Sequence, residues 1–284
     1  MHLKTSVPRF VLPADELPPR LAYKDWMVDT PPVGEWAKEF YSEYVGIKDE
    51  KELVEHLLEV RRQAWEVYRY RCIASFLFVN YNLRDAYGKE WYDGILERIK
   101  SGQKLLDLGC AFGHTGRNLV YDGAEQKNII SGDLRQEFWE LGFQLFRDRE
   151  KFHAPFLQGD ILDPQYLTEF DGQIDIVHTS AFFHLFDLPF QKAIVRRLTR
   201  LVSLKPGSVI FGRQVGNTVP AFKKHPLRPG QGLYQHSEES FRAMFESVAP
   251  GKWDVQTWLT TRKESLSDDN GGFQGRLRFI ITRL

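Results

Sequence analysis

The sequence predicts an α/β fold, a mostly parallel sheet with helices on both faces, preceded by a helical N-terminal region. Three observations predict it. From Lys104 onward, short apolar runs alternate with amphipathic stretches, the texture of strands buried on both faces by crossover helices. The first of these runs ends in a glycine-containing turn that leads straight into a helix, Asp107-Leu108-Gly109-Cys110-Ala111-Phe112-Gly113. The chain has 284 residues, 42% of them hydrophobic, enough for one or two domains of roughly 150 residues and for burying roughly three quarters of the unfolded surface.

The elements follow in order. Residues 1 to about 48 carry many prolines and aromatics, with Pro31-Pro32-Val33-Gly34 as a breaker, and read as an extended arm closing in a short helix. Asp49 and Glu52 have the offset of a capping box, and Leu53, Leu57, Leu58, Ala64, Trp65 and Tyr68 then recur near one face, so a long helix starts there. KEWYDGILERIKSG predicts a second helix ending near Gly102. Strands are predicted at 104–108, 128–133, 154–158, 174–179 and 208–213. Helices are predicted at 116–121, 136–149 and 189–203, the last with Ile194, Leu198, Leu201 and Val202 on one face. Ser237 caps a further helix. The runs WDVQTWLT and RLRFIITRL alternate as an antiparallel pair closing the sheet. The expected division is an N-terminal arm and helical lid, residues 1–100, and a ligand-binding domain, residues 101–284.

Composition excludes several classes. With 38 basic and 38 acidic side chains there is no net field to gather polyanions, so no nucleic-acid partner is expected. Cys72 and Cys110 alone make neither a disulfide framework nor a four-cysteine metal site, and no metal is expected. The opening twenty residues, broken by Pro8, Pro13, Pro18 and Pro19, lack the apolar run of a secretory leader. No stretch reaches the ~18 apolar residues of a membrane span. A cytoplasmic protein is expected, and a homodimer stays open.

The turn after the first strand carries the chemistry. Gly109 and Gly113 permit positive φ and close approach of a ligand to the backbone, and the helix N-terminus beyond presents free amides. The dinucleotide fingerprint is not met, and Asp107 suits a ligand bearing an ammonium group while repelling a pyrophosphate. These residues resemble the first motif of the class I S-adenosylmethionine (SAM)-dependent methyltransferases, with Ala111 in place of the middle glycine. The resemblance implies a seven-stranded Rossmann-like sheet and SAM as cofactor. It also implies a ribose-binding acid at the end of the second strand, where Asp133 stands with Leu134 after it, and an adenine-binding acid after the third strand, where Asp160 and Ile161 stand. Thr179 joins this cofactor set. The Leu204-Lys205-Pro206-Gly207 turn is similar to the family's as well. On residues alone, Asp160 can equally cap the turn before Leu162, and Cys110 reads as a small packing residue. Removing Asp133 is expected to weaken SAM by about 1.5 to 3 kcal/mol and to leave the fold intact.

Some acceptor classes lack their motifs. There is no Asn-Pro-Pro-Tyr or Asp-Pro-Pro-Tyr string for amino groups on bases and no Pro-Cys loop for cytosine. Thr179-Ser180-Ala181 stands where a metal-dependent catechol enzyme needs an acidic pair. The helical lead EVYRYRCIASFLFVNYNLRDAYGKEWYDGIL, the segment HTSAFFHLFD and the overall length resemble fungal secondary-metabolite methyltransferases. Those that methylate the carboxyl group of prenylated aromatic polyketides in meroterpenoid pathways are the most similar. That likeness implies a small, apolar, aromatic acceptor. Residues 1–100 hold 16 of the 39 aromatics, a composition that suits either an apolar cover or a packed helical cap. A carboxylate is ionised near pH 4 without help, whereas a phenol near 10 needs a base. Arg213 is the candidate to orient a carboxylate, and His184 the candidate base for a phenol, with a rising rate limb near its pKa of roughly 6 to 7. His178 reads as a structural strand-end histidine. A SAM-binding cyclase that transfers no methyl and a noncatalytic partner protein remain as alternatives.

Overall fold

In a computed structural model of the chain, residues 26–224, 232–261 and 271–284 are described. The proline-rich start of the predicted arm, residues 1–25, lies outside the described residues. These divide into two compact units, one of residues 26–102 and 110–158, the other of residues 103–109 and 159–284.

The first of these units begins with α1 (Glu35–Phe40), which widens into a π turn, Tyr41–Val45, that Gly46 ends at φ +84. Phe40 and Tyr41 leave water by packing on Phe146, at ring distances of 6.0 and 6.1 Å. The long helix α2 (Glu50–Val67) starts at the predicted cap: the Asp49 carboxylate accepts from the Glu52 amide at 2.8 Å. Its buried stripe is Leu53, Leu57, Val60 and Ala64, the i, i+4, i+7 spacing of one helical face. Two short helices that the pattern does not predict, α3 (Arg71–Ala74) and α4 (Leu83–Tyr87), lead to the predicted α5 (Lys89–Lys100). Beyond the motif turn come α6 (His114–Tyr121), β2 (Ile129–Asp133), α7 (Gln136–Phe146) and β3 (Phe156–Gln158). α7 stops three residues short of the predicted end, where Arg147 turns left-handed at φ +49. β2 and β3 pair in parallel, Ser131 against Phe156 and Asp133 against Gln158.

The other unit holds β1 (Leu105–Leu108), β4 (Ile176–Ser180), α8 (Leu188–Leu201), β5 (Val209–Asn217), a hairpin of β6 (Ala221–Lys224) and β7 (Gly232–Gln235), α9 (Glu238–Glu246), β8 (Trp253–Thr261) and β9 (Gln274–Arg283). β1, β4 and β5 are parallel. β9 runs antiparallel along the whole of β5, from Val209 against Thr282 to Asn217 against Gln274, which carries β5 past its predicted end at Arg213. β8 closes the edge against β9, the predicted antiparallel pair. Ser237 makes a reciprocal capping box with Ser240 at the start of α9. The sheet order is β3-β2-β1-β4-β5-β9-β8, seven strands and mostly parallel, a Rossmann-like arrangement. The β6–β7 hairpin was not predicted. No helix among the described residues is long and apolar enough to cross a membrane.

Candidate active site

At the end of β1, Asp107 is 2% exposed. Parallel register sets it directly against His178 on β4, whose Nδ1 lies 2.7 Å from its Oδ1. Oδ2 is buried and has no hydrogen-bond partner among the described residues. A buried carboxylate oxygen left in that state costs on the order of 1–3 kcal/mol or more, so a donor outside the chain has a place to bind. Gly109 follows at φ +72, and a Cβ there would come within 2.7 Å of the Phe182 ring. Thr179, directly opposite Leu108, is buried with its Oγ1 unpartnered among the described residues. Asp160 is half-buried and its Oδ1 accepts from the Leu162 amide at 2.9 Å, so the turn-capping reading is realised, with Ile161 buried beside it. Such a cap uses one oxygen and leaves the other.

In the unit containing β2, the continuation of the same turn is held differently. Ala111 adopts φ +46, the left-handed region that the missing middle glycine would have occupied more cheaply. Its amide donates to Asp133 Oδ2 at 2.9 Å, and the Arg135 amide donates to Asp133 Oδ1, also at 2.9 Å. Asp133 therefore ties the motif turn to the turn after its own strand. Leu134, half-buried, has its carbonyl bonded by the Gln158 side chain. Gly113, at φ +65, has no room for a side chain: a Cβ would meet Trp139 at 2.5 Å. Arg117, fully buried on α6, donates through Nη1 to the Phe112 carbonyl at 2.7 Å. Its Nε and Nη2 chelate Asp148 at 2.7 and 3.1 Å. Residues of the N-terminal region cover this turn, with Phe78 on Phe112 at 4.9 Å and Tyr81 on His114 at 5.3 Å. Cys110 is buried, in keeping with a packing residue.

After β4, Ala181 turns at φ +53 and the single 3-10 turn Phe183–Leu185 presents His184. Phe183 anchors that turn against Phe241 and Phe279. Burial pushes the His184 imidazole down to about 4, and its Nδ1 is buried without a partner among the described residues. The rate limb expected near pH 6 to 7 is thereby moved well below neutrality. Arg213 is half-buried near the carboxyl end of the parallel run of β5, paired across the ladder with Ser180 and Arg278. Its neighbour Gln214 is 4% exposed, with both amide atoms unpartnered among the described residues.

Three polar residues here escaped the sequence reading. Gln191 of α8 gives both amide protons away, to the carbonyls of Phe186 and Tyr234, so its Oε1 must accept from His236 Nε2 at 3.1 Å. That bond fixes the His236 tautomer, and burial holds its pKa down to about 4. The β6–β7 hairpin is thus pinned to the turn carrying His184. A signal existed for Gln191: it lies at the i position of the apolar i, i+3, i+4, i+7 stripe Gln191, Ile194, Val195, Leu198, all fully buried. Gln214 and His236 gave none.

A glycine-bearing turn after the first strand, acids at three strand ends in order, and this sheet order together define a class I SAM-dependent methyltransferase. Residues 105–207 match the family model of a methyltransferase domain, and residues 25–79 match the meroterpenoid methyltransferase N-terminal domain. The chain belongs to this family of fungal meroterpenoid methyltransferases. It is 34% identical over 256 residues to the Asnovolin E/Chermesin D methyltransferase nvfJ of Aspergillus novofumigatus, across 88% of this chain and 90% of that one. It is 35% identical to O-methyltransferase phiE of a fungal species, across 78% of this chain and 74% of the relative. With O-methyltransferase atr3 of Stereocaulon alpinum it shares 38% identity over 74% of its own length, but only 61% of that relative is spanned. Among solved structures, a Haemonchus contortus phosphoethanolamine N-methyltransferase 2 in complex with SAM shares the fold. Its TM-score is 0.51 at 14% identity, covering 87% of this chain and 60% of that one. The protein is a methyltransferase, its cofactor is SAM, and its acceptor is a small molecule.

Proposed function

We propose that the chain methylates the carboxyl group of an apolar aromatic small molecule of the polyketide–terpenoid type in fungal secondary metabolism. When bound, SAM supplies an electrophilic methyl on a sulfonium, an already activated donor. The protein's work is then to hold the acceptor oxygen in line with that methyl and keep water out. In this reading Asp107, Gly109, Ala111 and Gly113 hold the donor together with the strand-end acids Asp133 and Asp160. Leu134, Ile161 and Thr179 pack beside it. The unpartnered Oδ2 of Asp107 and the side-chain-free approach at Gly109 fit such a group. Residues 1–100 act as arm and helical lid to the methyltransferase domain, residues 101–284.

One observation carries the choice of acceptor: His184, the candidate base, is desolvated and neutral, with a pKa held down to about 4. A base that weak lies about six units below a phenol, whereas a carboxylate needs no base at neutral pH. Arg213 then orients the carboxylate through its planar fork. The second reading, a phenol with His184 as base, is favoured by the ring nitrogen Nδ1 of His184, which is buried without a partner among the described residues. Product analysis by mass spectrometry, after incubation with SAM and matched panels of aromatic acids and phenols, separates them. The expected product is an alkali-labile methyl ester, lost together with acceptor binding in Arg213→Ala. An alkali-stable methyl ether whose formation requires His184 would replace this reading with the phenol one.

A further inference from the structure

Among its described residues the unit containing β2 holds two buried arginines, and they are built unalike. Arg117 is fully buried, and its Nε–Nη2 edge meets both oxygens of Asp148 while Nη1 meets a backbone carbonyl. Arg135 is 8% exposed, and the same edge, Nε and Nη2, is buried with no hydrogen-bond partner among the described residues. Its backbone amide is fixed on Asp133, so the residue begins at the turn after β2. Its guanidinium lies under the Tyr68 ring, 4.5 Å from the centroid, at the C-terminal cap of α2. Tyr68 in turn leans on Tyr70 at 4.4 Å, and Tyr70 on Phe138 at 5.9 Å.

A guanidinium offers five N–H donors and no acceptor, so burial leaves the Arg135 fork in need of acceptor oxygens. The ring above it recovers only part of what desolvation takes, because cation–π contact leaves the N–H donors in the guanidinium plane unbonded. What satisfies that edge is an anion with two coplanar oxygens, the geometry Asp148 offers to Arg117. We propose that Arg135 is a ligand-binding residue that grips a carboxylate through Nε and Nη2, with Tyr68 of the N-terminal region closing over the pair. This rests on the methyltransferase reading, which supplies two carboxylates: the methionyl carboxylate of the donor and the carboxylate of the acceptor. The chemistry of the grip is the same for both.

Arg135→Met keeps the unbranched stem that packs under Tyr68 and removes the fork, and Arg135→Lys keeps the charge without it. Calorimetric titration of the full chain with S-adenosylhomocysteine, with methylthioadenosine, which lacks the amino-acid end, and with 2,4-dihydroxy-6-methylbenzoate separates the sources. If the donor is held, Arg135→Met weakens S-adenosylhomocysteine at least tenfold and leaves methylthioadenosine unchanged, with Arg135→Lys between the two. If the acceptor is held, both nucleosides bind as before and the benzoate is weakened. Unchanged affinity for every probe the natural chain binds overturns the proposal, and so does an equal loss for the two nucleosides, which would mark Arg135 as a prop for the turn. A natural chain that binds none of the nucleosides would instead strike down the donor reading on which the proposal rests.

Discussion

At the end of β1, Asp107 gives one oxygen to His178 and keeps the other bare, whereas at the end of β2 Asp133 gives both oxygens to backbone amides. The two carboxylates look interchangeable as strand-end acids, yet their costs run in opposite directions. Asp107 is a buried carboxyl group with one oxygen unbonded among the described residues, so its presence costs folding free energy that is offset when a donor binds. Asp133 is half-exposed and already useful without ligand, because it holds Ala111 and Arg135 in place. It can still accept from ribose hydroxyls, since each oxygen has a second lone pair.

The largest expected effect tests that contrast directly. Asp107→Asn should weaken S-adenosylhomocysteine by about 2 to 3 kcal/mol, the scale of hydrogen bonds to a charged group, while the ligand-free melting temperature holds or rises. Asp133→Ala should weaken the ligand comparably and also lower ligand-free stability by about 1 to 3 kcal/mol, because two backbone donors lose their acceptor. Calorimetry paired with urea unfolding reads both quantities, and equal stability losses in the two variants would erase the distinction.

What was legible in the sequence follows the same line. Asp107, Asp133 and Asp160 stand out because each closes an apolar run at a strand end, and chain order alone suffices to name them. The His178–Asp107 pair was not legible, since it depends on the register of two strands 71 residues apart. Nor was the bare fork of Arg135: a lone arginine after a strand looks solvated until packing shows what covers it. The β6–β7 hairpin was missed because its strands are four residues each and half-exposed, giving little alternation to read. Helix limits were legible where a side chain caps ahead of a long apolar stripe, as at Asp49 and Ser237, and missed where the helix is short, as after the Asn82 cap, or where backbone alone decides, as at Arg147.

A smaller effect concerns the two histidines beside the turn after β4. Burial holds His184 and His236 at about 4, against roughly 6.5 in the unfolded chain. Between those values the unfolded state binds more protons than the native one. Stability from these groups is therefore complete above about pH 6.5 and lost as pH falls toward 4. His184→Phe should flatten that decline by up to about 1.4 kcal/mol per pH unit, one proton's worth. Urea unfolding from pH 7.5 down to pH 5 reads it, and an unaltered slope would mean that His184 titrates as if in water. The same low value makes kcat/KM flat from about pH 6 to 9 under either acceptor reading. The pH profile therefore cannot separate them, and the loss of rate in His184→Ala must.

The smallest expected effect returns to the turn that Asp133 holds. Ala111 sits at φ +46, a conformation costing an L-residue about 1 to 2 kcal/mol, and it persists because its amide is fixed on Asp133 Oδ2. Ala111→Gly removes that strain but frees the unfolded chain by about 0.4 to 1 kcal/mol, so the net gain should lie between about 0 and 1.6 kcal/mol. The informative measurement is the double-variant cycle with Asp133→Ala. With the carboxylate gone, Ala111 has less to hold it left-handed, and glycine, which adopts that region freely, should recover more stability than it does in the natural background. If the two substitutions are simply additive, the carboxylate and the strained turn do not support each other. Asp133 would then be, like Asp107, a residue waiting on its ligand.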